Sequence, residues 1–344
     1  MAAGERTLIL AEGFSADPHY GKTMRGVLRY RRDDVVAILD STRTGESDAG
    51  VPVVGDVEGS LAYGPEVAIV GVATQGGRFP PEWRDILRAC IAKGLSIENG
   101  LHEMLADDSE LRPLADAAGV ELRDLRRPPE GLDCATGANL DVDSRIVLTV
   151  ASDCAVGKMT VSLELDRAAR ERGLESLFVP TGQTGIAIAG WGIAVDAVVA
   201  DFISGAAEQL VIEGHRRGGE LLWVEGQGSL VHPAYSGVTL GLYHGSVPHV
   251  LVLCHRAGST EIEGSPGHPI PPLRELVELH ERMALPARPA RVVAVALNTR
   301  DLGEEEARAA VAAAEAETGL PADDPVRFGA VKLVDAVLAA RPWR

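Results

Sequence analysis

Short apolar runs of strand length alternate with longer segments of helical period through most of the chain. That alternation is the signature of stacked βαβ units around parallel sheets. In the N-terminal half the strand-length runs fall at residues 7–11, 35–39, 67–72 and 95–98, with helical stretches at 81–93 and 109–118 between them. These predict a small Rossmann-like unit ending near Arg127. Residues 127–143 contain Pro128-Pro129, several glycines and acidic residues without periodicity, and read as a linker. A second α/β unit begins at Arg145, with strands expected at 146–150, 176–179, 221–224, 250–254 and 292–296 and helices at 158–172, 201–217, 273–283 and 304–318. The Glu run after Gly303 suits the positive end of the last of these helices.

Where the second unit opens, Ile146-Val-Leu-Thr-Val runs into Ala151-Ser-Asp-Cys-Ala-Val-Gly157-Lys158-Met159-Thr160 and then into a helical period. A strand that turns through a tight loop into a helix N-terminus aims several backbone N–H groups and the helix dipole at one spot, where a triphosphate can sit. The loop residues Ser152, Asp153, Cys154, Ala155, Val156 and Gly157 would form the cradle. Lys158 would neutralise phosphate oxygens, and a hydroxyl at the helix start would bind Mg²⁺. Ser152 stands where the usual motif has its first glycine, and Met159 pushes the hydroxyl one residue on, to Thr160. The fold class that follows is α/β: a Rossmann-like N-terminal domain over 1–135 and a P-loop NTPase-like domain over 136–344, the latter with a mainly parallel sheet. A Gly-Lys pair opening a helix by chance is the other reading.

Further candidates sit after strand-like runs. The run 221–224 ends in Glu225-Gly-Gln227-Gly-Ser229, which puts a carboxylate where a Mg²⁺-organising acid is needed and small residues where substrate needs room. Glu225 is thus a second metal candidate, and a turn cap is its plain alternative. After the run 176–179 comes Pro180-Thr-Gly-Gln183-Thr184-Gly185, a glycine-rich turn whose Gln183 and Thr184 would meet substrate oxygens, as would Gln227 and Ser229. His232 and His255 each follow a strand-like run and could move a proton or hold a carboxylate, although a single histidine is more often structural. Asn298, just beyond the run 292–296, carries the paired donor and acceptor that read a purine ring, or else forms a turn.

Composition narrows the partners. The net charge of −17 and the scattered basic residues exclude a nucleic-acid surface. They also require a locally positive pocket for any anionic substrate. Four cysteines, Cys90, Cys134, Cys154 and Cys254, form no CxxC and signal neither a zinc site nor a disulfide framework, which fits a reducing cytoplasm. No apolar run approaches membrane-spanning length, and none at the N-terminus resembles a signal segment. A cytoplasmic protein without membrane or nucleic-acid partners is expected.

Taken together, A-S-D-C-A-V-G-K, V-E-G-Q-G and the late A-L-N-T resemble the dethiobiotin-synthetase branch of P-loop proteins. That resemblance implies Asp153, Lys158 and Glu225 at a Mg²⁺-triphosphate and Asn298 near adenine. A resemblance over nearly the whole chain is to the DgcN-like family, typified by D-glutamate N-acetyltransferases. It rests on Tyr20-Gly-Lys22-Thr23, Val51-Pro-Val-Val, Gly76-Gly77 before Pro81-Glu-Trp83-Arg84, Gly100-Leu-His102, D-C-A-V-G-K-M-T, G-Q-T-G, A-D-F and G-Q-G-S. It implies acyl transfer onto the amino group of a small acidic amino acid, with acetyl-CoA as donor and the loop holding CoA phosphates or a nucleotide. Asp153, Lys158, Glu225, His232 and His255 are the catalytic candidates. An ATP-Mg²⁺-dependent ligase that activates a carboxylate as an acyl phosphate for capture by an amine is the alternative, and a nucleotide-responsive metallochaperone ranks last. Related P-loop enzymes build sites between subunits, which implies a homodimer or larger homo-oligomer.

Overall fold

The computed structural model describes residues 4–17 and 20–340, which divide into two compact units. The first holds the described residues up to Pro128 together with Gln183–Ala197; the second holds Pro129–Gly182 and the described residues from Val198. Both are α/β with mainly parallel sheets, as the alternation of runs predicts.

In the first unit the strands are β1 (Thr7–Leu10), β2 (Val35–Leu39), β3 (Ser47–Asp48), β4 (Val51–Val54), β5 (Val67–Val70), β6 (Ser96–Asn99) and β7 (Leu122–Asp124). They lie in the order β3-β4-β2-β1-β5-β6-β7, with every pairing parallel except that of the short β3 with β4. The helices are α1 (Lys22–Tyr30), α2 (Val57–Ser60), α3 (Trp83–Ala92) and α4 (Leu111–Ala118). β1 and β5 are buried along their whole length, which is why they read as continuous Val/Ile/Leu runs rather than alternating ones. At the carboxyl end of β2, buried Asp40 accepts from the backbone N–H groups of Gly13, Ser15 and Thr42 at 3.1–3.2 Å and from the Ser15 and Thr42 hydroxyls at 2.5 and 2.6 Å. One carboxylate therefore fixes the loops after both β1 and β2.

In the second unit β8 (Arg145–Ala151) leads into α5 (Lys158–Glu171) and then β9 (Ser176–Val179). The next helix, α6 (Gln183–Ala189), belongs with the first unit: Thr184 Oγ1 lies 2.9 Å from Thr23 Oγ1, Arg31 donates to the Ala187 carbonyl at 2.8 Å, and Ala187 joins the first core. The division expected at 135/136 therefore differs from the compact units in this returning segment as well as at Pro128/Pro129. The chain continues with α7 (Ile203–Arg216), β10 (Leu221–Val224), α8 (Ser236–Ser246), β11 (Val250–Arg256), α9 (Leu273–Arg282), β12 (Arg291–Asn298), α10 (Glu304–Thr318), β13 (Ala322–Asp323) and α11 (Val331–Ala339). The strand order β13-β12-β11-β8-β10-β9 sets β8 between β10 and β11, with Val224 opposite Leu148 and Cys254 opposite Ala151. The carboxyl ends of these three central strands consequently open side by side, where open α/β sheets carry their ligand crevice.

Among the described residues no helix is long and apolar enough to cross a membrane.

Candidate functional site

The loop between β8 and α5 is a cradle built by backbone conformation. Gly157, the cap of α5, sits at φ +115°, a region closed to residues with a Cβ, and Ala155 takes the left-handed conformation at φ +53°. These turns bring the chain sharply into the helix, whose first amides carry the positive end of the dipole. Lys158 starts α5 and is buried, and its Nζ donates to the Asp153 carbonyl at 2.9 Å. Burial pulls its proton affinity below the usual lysine range; the nearby Cys154, Cys254, Asp153 and Glu225 pull the other way. Burial and the neighbouring groups thus act on the Lys158 ammonium in opposite directions, and burial is the larger effect.

Asp153 is itself immobilised. Its Oδ1 accepts from the Cys154 amide at 2.5 Å and its Oδ2 from the Glu263 amide at 2.8 Å. Ser152 is buried at the end of β8, and its hydroxyl lies 2.9 Å from His255 Nδ1 at the end of β11. Burial lowers the pKa of His255, so the ring is neutral near neutral pH.

Glu225 follows β10 directly. Its Oε2 accepts from the amides of Thr181 and Gly182 at 3.0 and 3.2 Å, and its carbonyl accepts the Thr181 hydroxyl at 2.6 Å. The carboxylate therefore pins the turn after β9 beside the loop's own strand. Gly226 must be glycine, because a Cβ there would overlap the Thr149 carbonyl of β8, while its amide donates to Thr149 Oγ1 at 2.9 Å. Gln227 donates to Thr181 Oγ1 at 3.1 Å, and its carbonyl accepts the Thr239 hydroxyl at 2.7 Å. Buried Ser229 accepts from the Val231 amide at 3.3 Å, and its carbonyl accepts the His232 amide at 3.1 Å.

The second unit thus gathers Ser152, Asp153, Cys154, Lys158, Glu225, Gln227 and His232 around the ends of β8, β9 and β10, with His255 on the β11 side. Met159 and Thr160 lie half-buried in the first turn of α5. Asn298, at the end of β12, donates to the Val156 carbonyl at 3.2 Å, and its Oδ1 accepts from the Arg300 amide at 3.2 Å. The amide expected to read a purine thus ties the loop with its NH₂ group and the turn after β12 with its oxygen. Gln183 and Thr184 open α6 in the first unit instead of forming a turn, and the Thr184 hydroxyl is committed to Thr23.

The grouping that sequence spacing did not reveal is Asp153, Cys154 and His232, whose carboxylate oxygen, sulfur and ring nitrogen lie within 4.8 Å of one another. Two of the three are neighbours in the chain, but the third arrives from the loop after β10. Only the sheet order brings it in.

Models of a two-part family match this chain: a Rossmann-like domain of unknown function, DUF1611_N, over residues 40–128, and a P-loop domain of unknown function, DUF1611_C, over residues 133–334. The chain belongs to the DUF1611 family. A crystal structure of a DUF1611 family protein from Anabaena variabilis superposes on it with a TM-score of 0.92 at 43% identity, covering 98% of this chain and 100% of that one. A protein of Tritonibacter scottomollicae named D-glutamate N-acetyltransferase is 37% identical over 336 residues, 97% of this chain and 99% of its own. One of the same name from a Pseudoalteromonas species is 37% identical over 277 residues, 80% of this chain and 81% of its own. The near-complete coverage extends the likeness of this DUF1611 protein to both units.

Proposed function

We propose that this DUF1611 protein is an N-acyltransferase that forms an amide on the amino group of a small acidic amino acid of the D-glutamate class, with acetyl-CoA as donor. The observation that carries the reading is the match, end to end for one and over about four-fifths for the other, to two relatives bearing the D-glutamate N-acetyltransferase name. In the reaction the amine nitrogen attacks the thioester carbonyl, the C–N bond forms as the C–S bond breaks, CoA leaves as its thiolate, and the amine proton passes to a base. His255 suits the base, because its half-buried ring, its pKa lowered by desolvation, is neutral and able to accept that proton. The loop at the head of α5, with its amides and Lys158, suits an anionic partner, here the phosphates of the donor.

One observation favours a second reading. Lys158 has both Asp153 and Glu225 as electrostatic neighbours, the arrangement an ATP-dependent ligase would use to organise a triphosphate. Product analysis by mass spectrometry separates the two. The protein is incubated with acidic amino acids of both hands and either acetyl-CoA or ATP-Mg²⁺, with Lys158→Ala as control. N-acetylated product from acetyl-CoA without ATP supports acyl transfer. ADP and phosphate released only when a carboxylate and an amine are both present would replace it with the ligase.

A further inference from the structure

We propose that Asp153, Cys154 and His232 form a binding site for a zinc-class divalent ion, a borderline-soft transition metal in place of the magnesium that a phosphate loop ordinarily recruits. The donor atoms of the three residues lie within 4.8 Å of one another, with Asp153 and His232 buried and Cys154 half-buried. A tetrahedral ion with bonds of about 2.0–2.3 Å sets its ligand atoms roughly 3.3–3.8 Å apart, so the trio reaches that geometry by closing no more than about 1.5 Å.

The chemistry of the donors selects the ion. Magnesium demands oxygen ligands in near-octahedral array. A thiolate, an imidazole and one carboxylate are instead the donors of zinc and its neighbours.

The surroundings supply what a metal site needs. The Asp153 carboxylate is oriented by the Cys154 and Glu263 amides, outer contacts of the kind that hold a ligand in register. His232 Nδ1 accepts from the Ala234 amide at 3.1 Å, a contact that fixes the orientation of the ring. The Asp153 carboxylate brings negative charge to the trio, and a thiol that ionises on binding a metal adds a second. Three protein ligands leave a fourth position open to a substrate oxygen, the arrangement of catalytic zinc.

The test uses the full chain, stripped of metal by a chelator and titrated with Co²⁺. An intense near-ultraviolet thiolate-to-cobalt band is expected, saturating at equal molar ratio with the chain and abolished by added Zn²⁺. Cys154→Ser removes the band, and Cys134→Ser, which alters an exposed thiol outside the trio, leaves it. His232→Ala and Asp153→Asn weaken Zn²⁺ binding by more than the roughly 10–100-fold that loss of an outer-shell partner costs. A second measurement needs no variant: Zn²⁺ protects Cys154 from alkylation in the unaltered protein, read peptide by peptide, and does not protect Cys134. The site is overturned by absence of the band, by its survival in Cys154→Ser, or by equal alkylation of Cys154 with and without Zn²⁺. None of these readouts involves acyl transfer, so the site stands or falls separately from the proposed reaction.

Discussion

The ammonium of Lys158 is bonded to the carbonyl of Asp153, five positions earlier in its own loop, at 2.9 Å. The loop thereby supplies the oxygen that an anionic ligand would otherwise offer. Entry of such a ligand exchanges one partner for another at a cation already in place, with little new order to impose.

Lys158→Met should abolish anion binding without weakening the fold. Burial lowers the lysine's pKa in the folded state, so the unfolded chain binds that proton more tightly and the charged lysine costs stability at neutral pH. Methionine fills similar volume with no charge to desolvate, which offsets the lost bond to the Asp153 carbonyl and the lost attraction to Asp153 and Glu225. The expected outcome is an unfolding midpoint equal to or above that of the unaltered protein, together with loss of the thermal shift given by nucleotide or CoA. A lower midpoint would mean that the ammonium stabilises the loop.

Two substitutions two residues apart in the same loop should have unequal consequences. Ala155 holds φ +53°, and a left-handed residue with a Cβ costs about 1–2 kcal/mol, which glycine removes while loosening the unfolded chain by about 0.4–1 kcal/mol. Ala155→Gly should therefore fall within about 1 kcal/mol of the unaltered protein. Gly157, at φ +115°, has no such freedom, and Gly157→Ala should lose about 1–3 kcal/mol and the loop's anion binding with it. Denaturant midpoints and nucleotide-induced thermal shifts read both effects.

How far the sequence reveals this protein depends on where each signal resides. The strands Val35–Leu39, Ser176–Val179 and Leu221–Val224 are legible because strands buried on both faces of a parallel sheet become uninterrupted apolar runs. α5 is legible from Gly157-Lys158 and the periodic residues after it. α6 and α8 are not, since Gln-Thr-Gly-Ile-Ala-Ile-Ala and Ser-Gly-Val-Thr-Leu-Gly-Leu-Tyr-His-Gly-Ser are rich in glycine and β-branched residues, and tertiary packing overrides their propensity. The two-residue strands β3 and β13 are too short to give any period.

The site divides in the same way. Asp153, Lys158 and Glu225 are found from sequence because each sits at a fixed offset from a strand end. The company they keep is not. That Cys154 faces His232, that Asn298 is spent on Val156 and that Thr184 is spent on Thr23 all depend on sheet order and chain return, which no local pattern records.

Asp40 should be the most sensitive carboxylate of the first unit. It accepts five hydrogen bonds from Gly13, Ser15 and Thr42, all of them backbone amides or hydroxyls. Asp40→Asn turns one oxygen into an NH₂ facing those donors, and leaving buried donors unsatisfied costs about 2–4 kcal/mol. A lowered denaturant midpoint is expected, with the loops after β1 and β2 exchanging amide hydrogen faster. Unchanged protection at Ser15 and Thr42 would remove Asp40 from this role.

His280 should tie stability to acid. It is fully buried in α9, its ring bonded through Nδ1 to the Leu276 carbonyl at 2.7 Å, and Nε2 finds no partner among the described residues. Burial pushes its pKa from the ordinary 6.5 down to about 4. Between those values the unfolded chain takes up a proton that the folded chain refuses, so stability is complete above pH 6.5 and falls as pH drops through the window toward 4. The loss is on the order of 3 kcal/mol at the acid end. In His280→Asn the amide can keep the bond to Leu276 without titrating, so this part of the slope should vanish. The measurement is the denaturant midpoint from pH 7 down to pH 4. His249, whose burial and neighbours Arg288 and Arg145 lower its pKa to about 4 as well, contributes a slope of the same sign that remains in the variant. Parallel curves for the two proteins would show that His280 does not contribute.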